Sequence, residues 1–139
     1  MVRLEFEDLV EGASFGPFPY RLTEDLCDRL RGPVGEVRRG SKAPPAAIYV
    51  LLLHAYADAF EGVPAGGVLV SEGVECVESI ESDAEVDVTV TIEELRRGPR
   101  RPRVVIGFRI AAPGDVLCAV GHMEISWASS SELALGAEV

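Results

Sequence analysis

The sequence has few cysteines and no cysteine-pair motif, and this shortage excludes several classes of protein. Its three cysteines, Cys27, Cys76 and Cys118, are odd in number and far apart, and no CxxC occurs. This spacing predicts neither a disulfide framework nor a zinc site. We therefore expect a reducing, cytoplasmic compartment.

Basic charge is also scarce. The chain has 13 lysines and arginines against 23 acidic residues, which gives a formal net charge of −10. Nucleic-acid-binding proteins need a basic footprint, so general nucleic-acid binding is excluded. No GxSxG, P-loop or GxGxxG motif occurs. The serine-hydrolase, nucleotide-binding and metal-binding interpretations therefore have no support.

Long apolar runs are missing as well. The most apolar stretch includes His54 and Asp58 and falls short of the roughly 18 apolar residues that a transmembrane candidate needs. The start, MVRLEFEDLV, lacks a basic segment followed by an apolar run, so we expect no signal peptide. The length suits one domain, which we place at residues 1–127, with a flexible tail at 128–139.

The stretch 43–62 predicts one long helix around which the rest of the chain is organised. Pro44 and Pro45 suit a first turn, and Gly62 suits a stop. One face is formed by apolar residues at helical spacing: Ile48, Leu51, Leu52, Ala55 and Ala59. Further apolar residues cover most of the remaining surface, and a helix without a broad polar face must be enclosed.

Strand patterns surround this helix. Residues 14–22 predict a strand, and Pro17 and Pro19 make it an edge or bulged strand because they lack an N–H. Thr23 suits the N-cap of a short helix that runs to about Leu30. Four strands are predicted at 68–78, 85–97, 103–111 and 116–127, forming an antiparallel meander. This order predicts an α+β protein with the hotdog fold, an antiparallel sheet wrapped around one long helix. Its open edges favour a dimer.

Three segments carry a family resemblance. They are FEDLVEGASFGPFPYRLTEDLCDRL, APPAAIYVLLLHAYADAFEGVPAGGVLVSEGVECVESI and GDVLCAVGHMEISW. Together they resemble MaoC-like dehydratases of the FAS1-like, N-terminal type, over about residues 4–127. The resemblance implies an (R)-specific enoyl-CoA hydratase or 3-hydroxyacyl dehydratase that acts on a CoA or carrier-protein thioester. It implies no cofactor besides that substrate. The partner is a second copy or another hotdog chain.

The catalytic motif of the family does not match. Active members have an Asp and a His in a GDxNPxH loop before the long helix, and the corresponding segment here is GEVRRGS, residues 35–41. Glu36 replaces the Asp and could serve as the acid or the base, although its longer side chain would shift the carboxylate. Ser41 replaces the His. Hydration needs a general base and a general acid, and a serine hydroxyl without a base beside it does not titrate near neutral pH. We therefore expect a non-catalytic subunit, or a homodimer with poor activity.

The long helix offers another pair of titratable groups. His54 and Asp58 lie one turn apart, so they suit a base and its orienting carboxylate. The alternative is a structural histidine at the core or at a subunit interface. A carboxylate on this helix also resembles hotdog acyl-CoA thioesterases, which would use Asp58 or Glu61.

Candidate substrate-binding residues are more dispersed. The helix would supply the walls of an acyl tunnel, Tyr49, Leu53, Tyr56 and Phe60, followed by the turn glycines Gly66 and Gly67. Arginine side chains suit phosphate, so two basic groups suit CoA or an acidic carrier protein: Arg38 with Arg39, and Arg100 with Arg101 beside Arg96, Arg97 and Arg103. The alternative for both is a solvated turn. Glu72 and Glu75 are predicted on opposite faces of their strand. His122 is predicted to be exposed or at a subunit contact.

Overall fold

A computed structural model describes residues 5–31, 42–60, 67–98 and 100–128. After a single 3₁₀ turn at Phe6–Asp8, the elements follow the predicted order. They are β1 (Ser14–Arg21), α1 (Glu24–Arg31), α2 (Pro45–Ala59), β2 (Val68–Cys76), β3 (Glu85–Arg96), β4 (Arg103–Ala112) and β5 (Val116–Ser126). The long helix begins at the predicted proline and ends at Ala59 with Phe60 as its C-cap. Gly62, the predicted stop, lies outside the described residues.

All five strands form one antiparallel sheet in the order β1-β3-β4-β5-β2. The hotdog prediction is confirmed, because this sheet packs against the single long helix. The predicted four-strand meander is wrong, since β2 pairs with β5 and only β3, β4 and β5 form a meander. The connection after β2 explains the difference. It passes the start of α2, where the Ala43 amide donates to the Ile80 carbonyl (2.7 Å). It then reaches β1, where Asp83 and Ala84 bond to Leu22.

The core lies between α2 and the sheet. Leu51, Leu52 and Ala55 are buried as the helical spacing predicted, whereas Ala59 is half-buried. On the sheet side, β3 presents a row of buried residues in strict alternation, Val86, Val88, Val90 and Ile92. Leu52 approaches β5 so closely that a Cβ added at Gly121 would lie 3.0 Å from one of its methyl carbons. Tight packing of this kind fixes the position of α2 relative to β5.

Both sheet edges show irregular pairing. In β1 the register shifts between Phe15 and Phe18, which confirms the predicted bulged edge strand. In β2 the register shifts between Leu69 and Ser71. Because of this bulge, the side that faces α2 carries Leu69 along with Glu72, Val74 and Cys76. The sequence predicts that Val68 and Val70 share one side of the strand with Val74 and Cys76. That prediction is therefore wrong.

The short helix α1 is capped as predicted, since the Leu26 amide donates to the Thr23 hydroxyl (3.2 Å). Within the described parts of the chain, no helix has the length and apolarity needed to span a bilayer.

Candidate functional site

The predicted catalytic loop cannot be placed in this fold. Glu36, Ser41, Arg38 and Arg39 lie outside the described residues, and so do Glu61 and Gly66. Gly67 is exposed, immediately before β2. The site must therefore be built from α2 and the strands beside it.

Tyr20 of β1 brings the two titratable residues of α2 into one polar cluster. Its hydroxyl donates to Oδ2 of Asp58 at 2.5 Å, and its ring lies edge-on to the His54 ring with 6.2 Å between centroids. Partial burial, the hydrogen bond and the negative charge of Asp58 all raise the pKa of Tyr20. The phenol therefore stays protonated and remains a hydrogen-bond donor at neutral pH.

This arrangement differs from the predicted pair. Asp58 is bound by Tyr20 and not by His54, and both His54 and Asp58 are exposed to solvent. The sequence gave one indication for Tyr20, namely its place in the predicted strand 14–22 before the helices. That signal identifies no partner, since the contact depends on how α2 lies against β1.

The four predicted tunnel residues form one stripe along α2, but their environments differ. Phe60 packs in an aromatic cluster, with ring centroids 5.2 Å from Tyr56, 5.6 Å from Phe15 and 5.8 Å from Trp127. Burial raises the pKa of Tyr56 to about 12. Tyr49 and Leu53, in contrast, are 41% and 53% exposed. Tyr56 and Phe60 are therefore core residues in this chain, and Tyr49 and Leu53 remain as lining candidates.

Tyr49 and Leu53 are the large apolar residues of α2 that remain exposed. Both neighbour Leu52 on the helix surface, and Leu52 packs at Gly121, which pairs with Val74 of β2. Three consecutive residues of β2 are also apolar and exposed, Val68 (54%), Leu69 (49%) and Val70 (41%). We call these five residues the open margin. Large exposed apolar patches mark binding sites for ligands or for other proteins.

Three arginines of the hairpin between β3 and β4 form ion pairs. Arg96 pairs with Glu94 (3.0 Å) and with Glu124 (2.8 Å), and Arg103 lies 3.7 Å from the same Glu124. The hydrogen bond and charge of Glu94 raise the pKa of Arg96, and Arg96 in turn lowers the pKa of Glu94. These ion pairs connect side chains of strands β3, β4 and β5.

Arg97 is also engaged. Its guanidinium lies 3.5 Å from Glu7 and stacks over the ring of Phe6, 4.7 Å from the centroid. Arg100 and Arg101, the pair predicted to bind substrate, are exposed in the turn between β3 and β4. Arg96, Arg97 and Arg103 are therefore engaged in contacts within the chain.

The two histidines of the chain lie on opposite sides of the sheet. His54 belongs to α2, whereas His122 of β5 is exposed on the outer face, as predicted, between its cross-strand partners Gly73 and Gly107. Glu75 shares that outer face, whereas Glu72 pairs with Met123 and lies on the side of α2, so the predicted opposition is confirmed. The described residues contain no group of side chains suited to a metal. Within one chain the two histidines therefore lie in separate places.

Comparison with known proteins gives the fold. No family model and no curated protein matches the sequence. The chain is similar to the unliganded (R)-hydratase PhaJ1 from Pseudomonas aeruginosa, with a TM-score of 0.72 and 14% identity, over 90% of this chain and 86% of that one. It is similar to a MaoC-like dehydratase from Rhodospirillum rubrum, with a TM-score of 0.71 and 12% identity, over 91% and 98% of the two chains.

A third structure belongs to a complex. The C-terminally truncated HadBC (3R-hydroxyacyl-ACP dehydratase) complex from Mycobacterium tuberculosis matches with a TM-score of 0.71 and 12% identity, over 89% of this chain and 98% of that one. The resemblance to MaoC-like dehydratases is thus confirmed in three dimensions. At these identities it is a likeness of fold, and the chain has the hotdog fold of these hydratases and dehydratases.

Proposed function

We propose that this chain is an acyl-thioester-binding subunit of a hotdog hydratase or dehydratase. The observation that carries the proposal is the open margin, the exposed apolar residues of the central helix and of the edge strand β2, which pairs only with β5 among the described residues. It stands in a fold shared with an (R)-hydratase and a 3R-hydroxyacyl-ACP dehydratase. An acyl chain needs such an apolar wall. Tyr49 and Leu53 supply it from α2.

The reaction in question adds water across the double bond of a 2-enoyl thioester. The water oxygen bonds to the β-carbon, a base takes one proton from the water, and an acid gives a proton to the α-carbon. Within this chain His122 faces away from the helix, and Asp58 is already bound by Tyr20. These positions support a division of labour in which a partner hotdog chain supplies the acid and the base.

The CoA or carrier-protein part of the substrate needs a second contact, besides the one made by the acyl chain. We propose Arg100 and Arg101, which are exposed in the turn between β3 and β4, for the phosphates of CoA or for an acidic carrier protein. We also propose a cytoplasmic location, which is supported by the reduced state of Cys27, Cys76 and Cys118, none of which forms a disulfide among the described residues.

Calorimetric titration with saturated acyl-CoAs tests this proposal, since a saturated chain binds but is not hydrated. We expect the acyl chain to increase affinity over free CoA, and Leu53→Asp to weaken that gain at least tenfold. Val116→Asp is the matched control, because Val116 is similarly exposed (46%) but lies at the start of β5.

Equal affinity for CoA and acyl-CoA would contradict the proposal. Release of free thiol during the titration would point to the thioesterase alternative, for which the structure offers no supporting observation. The thiol is measured in the same samples with a chromogenic disulfide.

A further inference from the structure

The outer face of the sheet, on the side away from α2, carries a wide trough. Its volume is about 630 Å³, which lies within the range of small-molecule sites. Residues of β2, β3, β4 and β5 line it, and none of the residues proposed to bind the acyl thioester is among them. A ligand of this trough would therefore be independent of the proposed function.

Two glycines form part of the floor of the trough. Gly73 and Gly107 are the neighbours of His122 on the two adjacent strands. A Cβ at Gly73 would overlap the His122 imidazole, and a Cβ at Gly107 would overlap the Glu93 carboxylate. Neither glycine lies at a register shift, and glycine inside a regular strand marks a close approach of another group to the backbone. Here the glycines allow an imidazole and a carboxylate to lie flat over the sheet.

The negative charge of the trough is not balanced within the described parts of the chain. Glu75 and Glu93 both line the trough, and neither forms an ion pair or a hydrogen bond with another described residue. Arg109 also lines it, but its guanidinium is already paired with Asp115 at 2.8 Å. In a chain with a net charge of −10, two carboxylates without a cation favour a positively charged occupant.

The acceptor groups follow a line across the sheet. The Glu93 carboxylate lies over β4, His122 belongs to β5, and Glu75 belongs to β2. From Gly107 to Glu75 the line crosses two strand spacings and two residues along the strand, which amounts to about 12 Å. Val120 of β5 pairs with Glu75 and is 36% exposed, so it offers an apolar surface along this line. The order is therefore carboxylate, imidazole beside an apolar side chain, carboxylate.

We infer that this trough binds a linear polyamine, an alkyl chain with an amino group at each end and one between them. The terminal ammonium groups would meet Glu93 and Glu75, and the middle amino group would donate to the unprotonated nitrogen of His122. The methylene groups would lie on Val120 and lose water there. A compact cation would reach only one of the two carboxylates, and a neutral ligand would leave both without a partner.

Calorimetric titration of the wild-type chain with spermidine, at about 0.15 M salt, tests this inference. We expect one site per chain, with at least tenfold tighter binding than for hexamminecobalt(III), which carries the same charge without an alkyl chain. Glu75→Gln and Glu93→Gln should each weaken binding about threefold, as exposed ion pairs do, and together about tenfold. Thermal melts show whether each variant is folded.

Two controls are matched to these variants. Glu11→Gln combined with Glu78→Gln changes the net charge equally, but both residues are exposed outside the trough. The affinity of this variant for spermidine should change by less than about twofold. The second control is the diamine of equal length that has a methylene group in place of the middle nitrogen. Wild type should prefer spermidine, and His122→Ala should reduce that preference about threefold.

The absence of saturable spermidine binding would overturn the inference. Equal affinity for hexamminecobalt(III), or an equal loss in the variant of Glu11 and Glu78, would show that overall charge acts and not the trough. Self-association that the double variant of Glu75 and Glu93 abolishes, measured by sedimentation, would show that a second copy covers this face. None of these results decides acyl-CoA binding, which the titration with acyl-CoAs measures separately.

Discussion

The two edge strands of the sheet both have a bulge, but they differ in proline content and in the number of exposed apolar residues. Edge strand β1 contains Pro17 and Pro19, has a bulge, and is tied to the helix by the hydrogen bond between Tyr20 and Asp58. Edge strand β2 has no proline and exposes three consecutive apolar residues. The two prolines remove backbone donors from β1, whereas every residue of β2 keeps its N–H. Among the described residues, β2 is therefore the edge strand with more backbone donors left for a further strand.

The largest effect is expected on the side of the sheet that carries β2. Leu52 is fully buried against β5, the strand that carries β2. Leu52→Asp would place a carboxylate in the core without a partner, which should cost about 4 kcal/mol or more and abolish soluble folding. Soluble yield and the thermal melt measure this.

The neighbouring substitution is the control. Leu53 is 53% exposed, so Leu53→Asp should change stability by no more than roughly 1 kcal/mol. A soluble Leu52→Asp protein with a cooperative melt would contradict the placement of the helix.

A smaller effect is expected in β1. Gly16 of β1 has φ +94°, and a Cβ there would lie 2.8 Å from the Phe18 nitrogen and 2.9 Å from the Val88 oxygen. Gly16→Ala should therefore reduce the free energy of unfolding by about 2 kcal/mol. The measurement is urea denaturation.

Gly73 is the counterpart in β2. A Cβ there would meet the imidazole of His122, 2.4 Å from Cε1, but this side chain is exposed and can turn away. Gly73→Ala should cost no more than roughly 0.5 kcal/mol. Equal losses in the two variants would remove the distinction between a strained edge and an unstrained one.

The smallest effect is expected for the hydrogen bond between Tyr20 of β1 and Asp58 of α2. Tyr20→Phe deletes the hydroxyl that donates to Asp58 and should cost about 1 kcal/mol in urea denaturation. Tyr49→Phe serves as the control, because the Tyr49 side chain is exposed and its hydroxyl bonds to none of the described residues. A Tyr20→Phe protein as stable as Tyr49→Phe would show that this hydrogen bond contributes nothing.

Local patterns were sufficient for the elements themselves. The alternation from Val86 to Ile92 predicted β3 with its buried face, and Pro44 and Pro45 predicted the start of α2, because such patterns depend on neighbours in the sequence. The single buried helix followed from its lack of a polar face. Together these gave the hotdog fold.

Contacts between distant segments were not predictable in the same way. Nothing in the alternation of β2 shows that it pairs with β5, since its pairing depends on the path of residues 77–84 past the start of α2. Tyr20 and Asp58 are 38 positions apart in the sequence, and their contact depends on the orientation of α2 against the sheet. The helical stripe from Tyr49 to Phe60 likewise gave no sign that its second half enters the aromatic core. The predicted loop residues Glu36 and Ser41 lie outside the described residues and stay predictions.

The most direct test of the central claim is the hydration of crotonyl-CoA and longer 2-enoyl-CoAs, followed by the loss of enoyl absorbance. We expect the pure chain to turn over more slowly than about 1 per second, the lower end of typical enzymes. We expect His54→Ala and Asp58→Asn to leave that rate unchanged. Addition of a hotdog partner that carries the GDxNPxH loop should raise it. A pure chain that exceeds about 1 per second, and loses tenfold or more in either variant, would contradict the account.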